Sequence, residues 1–132
     1  KAADLGDTWS MNRIGNLYYN GEGVEENYEE ALKLCYNAIK SNSEDFQIYI
    51  YRGLAKNNLN RYEEAIEDYN ASLKLNSNNP DTYYFIGLSK DNLGLYEEAI
   101  NNYDKAIELN PAYIPLYQKN RYFRKTKFGR NI

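Results

Sequence analysis

The chain has 132 residues, of which 42% are hydrophobic and 27% are charged, and its formal net charge is -3 at pH 7. This length allows one domain with its own core, but no apolar run approaches the roughly 20 residues that a membrane-spanning helix needs. With no histidine and one cysteine, the sequence excludes a disulfide within the chain, a zinc site built on Cys and His, and His-based or Cys/His catalysis.

Apolar residues spaced three and four positions apart predict seven helices. We expect them near residues 8–20, 27–41, 45–59, 62–75, 80–93, 96–109 and 114–127. Gly94 and, at the matching place, Asn60 are predicted to end helices, because both residues tolerate the left-handed conformation. Asn79 and Pro80 are predicted to begin one, since Asn caps a first turn and proline lacks only an N–H that needs no partner there.

A short block returns at an interval of 34 residues. The block at 61–66 recurs at 95–100, and a looser copy lies at 27–32. Gly53 and Gly87 keep the same interval. Such self-similarity predicts helix pairs that each bury too little apolar surface alone and are stabilised by stacking on their neighbours.

The third period carries a spaced set of aromatic and small residues: Tyr83, Ile86, Gly87, Ala99, Tyr103 and Pro111. This spacing resembles the tetratricopeptide repeat (TPR), with Lys90 departing from its pattern. Residues 46–79 resemble it more loosely, because Arg52 occupies the position of its leucine. Arg52 must therefore reach solvent or find a carboxylate.

The first unit has a longer loop than the others. Gly15 and Ala31 are 16 residues apart, whereas Gly53 and Ala65 are 12 apart. With Gly21-Glu22-Gly23-Val24 in this loop, the unit resembles a Sel1-like repeat. Residues 1–7 resemble the end of a preceding repeat, so we expect the chain to be a piece of a longer protein with at least one further unit upstream.

The resemblance implies an all-α fold, an α-solenoid of stacked antiparallel helix pairs (a TPR/Sel1-like superhelix) with a C-terminal capping helix. We expect one repeat domain over 1–132. Its expected parts are a remnant of a preceding repeat at 1–7, a Sel1-like repeat at 8–43, TPRs at 44–79 and 80–113, and a basic capping helix and tail at 114–132.

The same resemblance implies a concave groove lined by the first helix of each pair. Its positions in this sequence are Asn12, Asn16, Tyr19, Gln47, Ile50, Leu54, Asn57, Asn58, Tyr84, Leu88, Asp91, Asn92, Gln118 and Tyr122. Chaperone-binding members of the family grip a C-terminal carboxylate with Lys, Asn and Arg. In this sequence apolar residues occupy such positions instead. Asp81 and Asp91 would also repel an anion, so we expect no carboxylate clamp. An apolar, amide-lined groove suits an extended or helical segment with hydrophobic anchors, unless these residues only pack against neighbouring helices.

No catalytic, cofactor-binding or metal site is predicted. The repeated Glu pairs, such as Glu63 and Glu64, diverge on a helix and suit its positive N-terminal end rather than a ligand cage. Cys35 takes the register position of Tyr69 and Tyr103, which predicts a buried core thiol rather than a reactive one. We therefore expect the chain not to be an enzyme and to need no cofactor.

These patterns predict a non-catalytic protein–protein interaction module that binds a peptide or helix of a partner protein. One alternative is a self-association scaffold, a homo-oligomer formed through exposed faces of the terminal repeats. Another is electrostatic binding of nucleic acid or a membrane surface, because residues 114–132 carry a charge of +6 and the remaining residues one of -9. A solvated cap that balances the acidic stack explains the same charge, so nucleic acid and membrane are the less expected partners. The single thiol says little about the compartment but is compatible with a reducing one, so the location is left open, with the cytoplasm favoured.

Overall fold

A computed structural model describes residues 25–41 and 44–113. Within these two ranges every element is helical. The elements are α1 (Glu25–Ser41), α2 (Phe46–Asn58), α3 (Tyr62–Leu75), α4 (Pro80–Asn92), α5 (Tyr96–Leu109) and a 3-10 turn at Pro111–Tyr113. The observed bounds of α1 to α5 agree with the predicted ones to within two residues. The helices predicted near 8–20 and 114–127 lie outside the described residues.

Side-chain caps begin two of the helices. The carboxylate of Asp45 accepts the backbone N–H of Gln47 at 3.0 Å, at the start of α2. The side chain of Asn79 accepts the N–H of Asp81 at 3.0 Å, which confirms the predicted start of α4. Each cap satisfies one of the N–H groups that the first turn leaves without an intrahelical partner.

The turn after α2 and the turn after α4 share one backbone conformation. Asn60 has φ 64° and Gly94 has φ 85°, so both predicted left-handed positions are confirmed. This conformation ends each helix and lets the chain reverse into the next one. The predicted turn is therefore the same structure in two copies.

The chain divides into two compact units, with the boundary between Ser77 and Asn78. In the first unit α2 packs against both α1 and α3. Its core contains Leu34, Cys35, Ala38 and Ile48, and Ala31 packs with Ala55 in a second cluster. In the second unit α4 packs against α5, and the 3-10 turn lies next to α5.

Matching positions of the two units hold the same core contact. Gly53 lies against the ring of Tyr69 in the first unit, and Gly87 lies against the ring of Tyr103 in the second. Both rings are buried. A residue with no side chain in one helix thus lets the aromatic ring of its partner helix come close to the backbone.

Two buried hydroxyl groups distinguish the units. Ser72 and Thr82 are both 0% exposed, and neither hydroxyl oxygen has a hydrogen-bond partner. The residue 34 positions from Ser72 is Ala106, and the residue 34 positions from Thr82 is Ile48; both of these apolar residues are fully buried. Each unit therefore buries an unpaired hydroxyl where the other buries only carbon.

No helix in the described ranges combines the length and the apolar character that crossing a bilayer requires.

Candidate peptide-binding faces

The predicted groove positions fall partly outside the described ranges. Five of them do so: Asn12, Asn16, Tyr19, Gln118 and Tyr122. The other nine lie on two helices, α2 and α4. These helices belong to different units.

On α2, four of the five predicted positions retain solvent access. We call Gln47, Leu54, Asn57 and Asn58 the α2 face: Asn58 is exposed and the other three are half-buried. Ile50 differs, because it is only 4% exposed. Its side chain belongs to the core of the first unit and offers no surface to a ligand.

On α4, three of the four predicted positions remain accessible. We call Tyr84, Leu88 and Asn92 the α4 face: Asn92 is exposed and the other two are half-buried. The ring of Tyr84 lies with its centroid 5.5 Å from that of Tyr103, tilted by 43°. Packing on a buried ring holds Tyr84 in place while part of it stays accessible.

Asp91 does not face solvent as the groove prediction implies. It is 9% exposed, and its Oδ2 accepts a hydrogen bond from the Tyr103 hydroxyl at 2.5 Å. The carboxylate therefore joins α4 to α5 inside the second unit. Sequence spacing placed Asp91 on the correct helix but could not show that a tyrosine hydroxyl reaches it.

The two faces share one polar arrangement. The Asn58 Nδ2 donates to the carbonyl of Leu54 at 2.8 Å, and the Asn92 Nδ2 donates to the carbonyl of Leu88 at 3.1 Å. These bonds fix each amide so that its Oδ1 is turned away from the helix carbonyl. Each face thus combines a leucine with an amide oxygen that can accept a hydrogen bond.

Arg52, at the leucine position of the repeat pattern, finds a carboxylate. Its Nε and Nη2 lie 3.0 Å and 2.8 Å from the two oxygens of Asp68, which also lies 3.0 Å from the Lys56 Nζ. Asp68 is 3% exposed, so the charge group ties α2 to α3. In the second unit Ile86 and Asn102 occupy the positions of Arg52 and Asp68, and no such ion pair is possible there.

A cavity of about 510 Å³ lies between α1 and α2. Its lining residues are Leu32, Lys33, Tyr36, Asn37, Arg52 and Lys56. None of them belongs to the predicted groove, so sequence reasoning missed this site. A signal was present, because Arg52 and Lys56 replace the leucine and tyrosine of the repeat pattern.

Cys35 is fully buried, as predicted. Burial raises the pKa of its thiol to about 12, which leaves almost no thiolate at neutral pH. Across the described part of the chain, no group of three or more Cys, Asp and Glu side chains is placed to hold a metal ion.

Helix pairs with one repeated glycine–tyrosine contact and one repeated left-handed turn define an all-α repeat protein. Two family models match this chain: one described as TPR repeat over residues 53–94 and one described as Tetratricopeptide repeat over residues 80–113. The predicted TPR repeats are therefore present. Neither match extends into residues 8–43, so the Sel1-like character of the first unit stays a prediction.

Solved structures share the fold. The TPR domain of Arabidopsis OM64 is 19% identical, with a TM-score of 0.79 over 92% of this chain and 98% of that one. A structure of MamA is 21% identical, with a TM-score of 0.76 over 88% of this chain and 64% of that one. At such identities the likeness shows the fold alone, and it confirms the predicted α-solenoid class. No match was found among curated proteins.

One of the similar structures contains a ligand. The second TPR domain of human RPAP3, in complex with the HSP70 peptide SGPTIEEVD, is 18% identical, with a TM-score of 0.76 over 90% of this chain and 98% of that one. The RPAP3 domain, whose fold is similar, is thus bound to a peptide in that structure.

Proposed function

We propose that this chain is a non-catalytic protein-interaction module that binds segments of partner proteins at the α2 face and at the α4 face, each within its own unit. The observation that carries the proposal is the repeated pair of a half-buried leucine and an exposed asparagine, Leu54 with Asn58 and Leu88 with Asn92. A leucine can anchor an apolar side chain of the ligand, and an amide can bond its backbone. The peptide complex of a TPR domain with the same fold supports this use of the surface.

The chemistry of the two faces favours a ligand without an essential terminal carboxylate. Neither face contains a lysine or arginine. One N–H of the Asn58 side chain and one of the Asn92 side chain are engaged with their own helices, so their amide oxygens are the better-placed groups for a ligand. An amide oxygen accepts from a peptide N–H and repels a carboxylate. The ligand is therefore an internal segment with hydrophobic anchors.

Selection of short peptides displayed on phage tests the proposal. Bound sequences should contain spaced hydrophobic residues and should bind equally well with an amidated C-terminus. Leu54→Asp should weaken binding of a peptide held by the α2 face, and Leu88→Asp binding of a peptide held by the α4 face, each by more than about tenfold, because a buried apolar anchor contact is lost. Leu75→Asp and Leu95→Asp are matched controls, since both leucines are 43% exposed and lie off the two faces.

Four results would oppose the proposal. Peptides whose affinity is equal for all four leucine variants would not use these faces. A requirement for a free acidic C-terminus would show a carboxylate clamp instead. If no peptide binds and the protein's mass rises with concentration in every variant, self-association is the better explanation. If binding is lost only when salt is added, the basic C-terminal segment is the better explanation.

A further inference from the structure

The α1–α2 cavity lies on the opposite side of α2 from the α2 face. Arg52 and Lys56 line the cavity and are four residues apart on one stripe of the helix. Leu54 is two residues from Arg52, which corresponds to a rotation of about 200° around the helix axis. A ligand in the cavity and a ligand on the α2 face would therefore touch different surfaces.

The α1 side of the cavity contributes two apolar side chains that remain accessible, Leu32 and Tyr36. Tyr36 is 57% exposed, the highest value among the large hydrophobic side chains of the described residues. Half-buried Leu32 lies one helical turn before it on the same wall. The Lys40 Nζ lies 5.2 Å from the centroid of the Tyr36 ring, so a cation already borders this aromatic surface. An exposed ring beside a leucine is the kind of surface on which an apolar side chain can be buried.

The other lining groups make the cavity positive. Lys33, Arg52 and Lys56 line it, and among the described residues no carboxylate does. One carboxylate, that of Asp68, is shared by Arg52 and Lys56. Glu64 lies 3.9 Å from the Lys56 Nζ, and its side chain is 56% exposed, so it screens that charge only weakly. The three cations of the site therefore have two acids beside Arg52 and Lys56, which leaves an excess of one positive charge in this group.

We propose that the α1–α2 cavity is a second binding site, which takes an acidic segment of a partner protein with an apolar side chain next to an Asp or Glu. The apolar side chain packs on Leu32 and Tyr36. The carboxylate faces Lys33, Arg52 and Lys56, where opposite charge also raises the rate of encounter. The carboxylate next to the apolar side chain distinguishes this ligand from the segment proposed for the α2 and α4 faces.

A blocked peptide in which a Phe-Leu pair is flanked on both sides by Asp is the probe. Fluorescence anisotropy should show saturable binding that weakens as salt is added. Lys33→Glu should weaken it by about threefold to tenfold, the effect of reversing one surface charge. Tyr36→Ala should weaken it by more than about tenfold. Both side chains are exposed, so the folded structure should be retained, which circular dichroism checks.

Two matched variants separate this site from others. Lys105→Glu reverses an exposed lysine of the second unit and should leave affinity for the probe unchanged. Leu88→Asp, on the α4 face, should also leave it unchanged, so the two proposals can fail independently. In an NMR titration, backbone shifts should concentrate at residues 32–37 and 52–56.

The proposal is overturned if the acidic probe does not saturate, or if a Lys-flanked version binds as tightly. Equal weakening by Lys33→Glu and Lys105→Glu would show only a general charge effect. Weakening by Leu88→Asp alone would place the peptide on the α4 face instead.

Discussion

The ring of Tyr69 lies against the backbone of Gly53, so closely that a Cβ atom on Gly53 would come within 2.5 Å of its Cε1 atom and 2.8 Å of its Cδ1 atom. Tyr103 and Gly87 repeat this contact in the second unit. Each tyrosine is 1% exposed, and close packing leaves such a ring little room to move. The short distance between the two packed helices of each unit thus requires glycine at this position.

Gly53→Ala should lower the free energy of unfolding by about 1–2 kcal/mol. Alanine favours a helix by about 1 kcal/mol over glycine, but overlap with a buried ring costs about 1–3 kcal/mol or more. Urea unfolding followed by circular dichroism measures the difference. In a Tyr69→Leu background, which lacks the ring, the same glycine substitution should cost less, whereas a stabilised single variant would contradict the close contact.

The Arg52–Asp68 pair should depend on both partners. Asp68→Ala leaves Arg52 and Lys56 without their buried carboxylate and should cost about 3 kcal/mol, as breaking a buried ion pair does. The double change Arg52→Ile with Asp68→Asn introduces the residues of the second unit. It should cost less than Asp68→Ala, because no charge is left unpaired at these two positions. Chemical denaturation of the single and double variants tests this, and additive costs would contradict the coupling.

The two left-handed turns should respond differently to substitution. Gly94→Ala should destabilise by about 1–2 kcal/mol through backbone conformation alone, since nothing lies within 4 Å of the added Cβ. Asn60→Gly should change stability by less than about 0.5 kcal/mol, because relief of the left-handed backbone offsets loss of the 2.6 Å bond between Tyr62 and the Asn60 side chain. Thermal unfolding compares both. A large loss in Asn60→Gly would assign the stability to the side chain instead.

Cys35 should make stability fall at high pH. Its thiol pKa is about 12 in the folded chain against an ordinary value of 9.0. Above pH 9 the unfolded chain ionises its thiol while the folded chain keeps the proton, so folding loses stability until about pH 12. Unfolding free energies of the natural chain and Cys35→Ala, measured from pH 7 to 11, should show a difference that shrinks above pH 9. A constant difference would contradict the shift.

The same burial should suppress thiol chemistry in the folded chain. A three-unit rise in pKa lowers the thiolate fraction by roughly a thousandfold at pH 8. Labelling with a disulfide reagent should therefore be slow in buffer and rapid in urea. Rapid labelling without denaturant would show that Cys35 is accessible.

Features set by local chemistry could be predicted from the sequence. Asn79 caps a helix, and Asn60 and Gly94 end helices, because the backbone near each residue determines the outcome. The glycine–tyrosine register followed from the repeat interval. These are properties of a few neighbouring residues or of an exact recurrence.

The depth of individual side chains could not be predicted. Helical spacing places Ile50 and Leu54 on nearly the same side of α2, yet Ile50 is 4% exposed and Leu54 is half-buried. The difference depends on how far neighbouring helices extend over the edge of the apolar stripe. The α1–α2 cavity was missed for a related reason, since it depends on the gap between two helices rather than on one helix's pattern.

For each of the unpaired hydroxyls of Ser72 and Thr82, the matching position of the other unit holds an apolar residue that could replace it. Ala106 occupies the position that matches Ser72 and has no oxygen atom in its side chain. Ile48 occupies the position that matches Thr82 and is aliphatic. A more stable core could therefore be designed from this sequence alone, by placing alanine at position 72 and isoleucine at position 82.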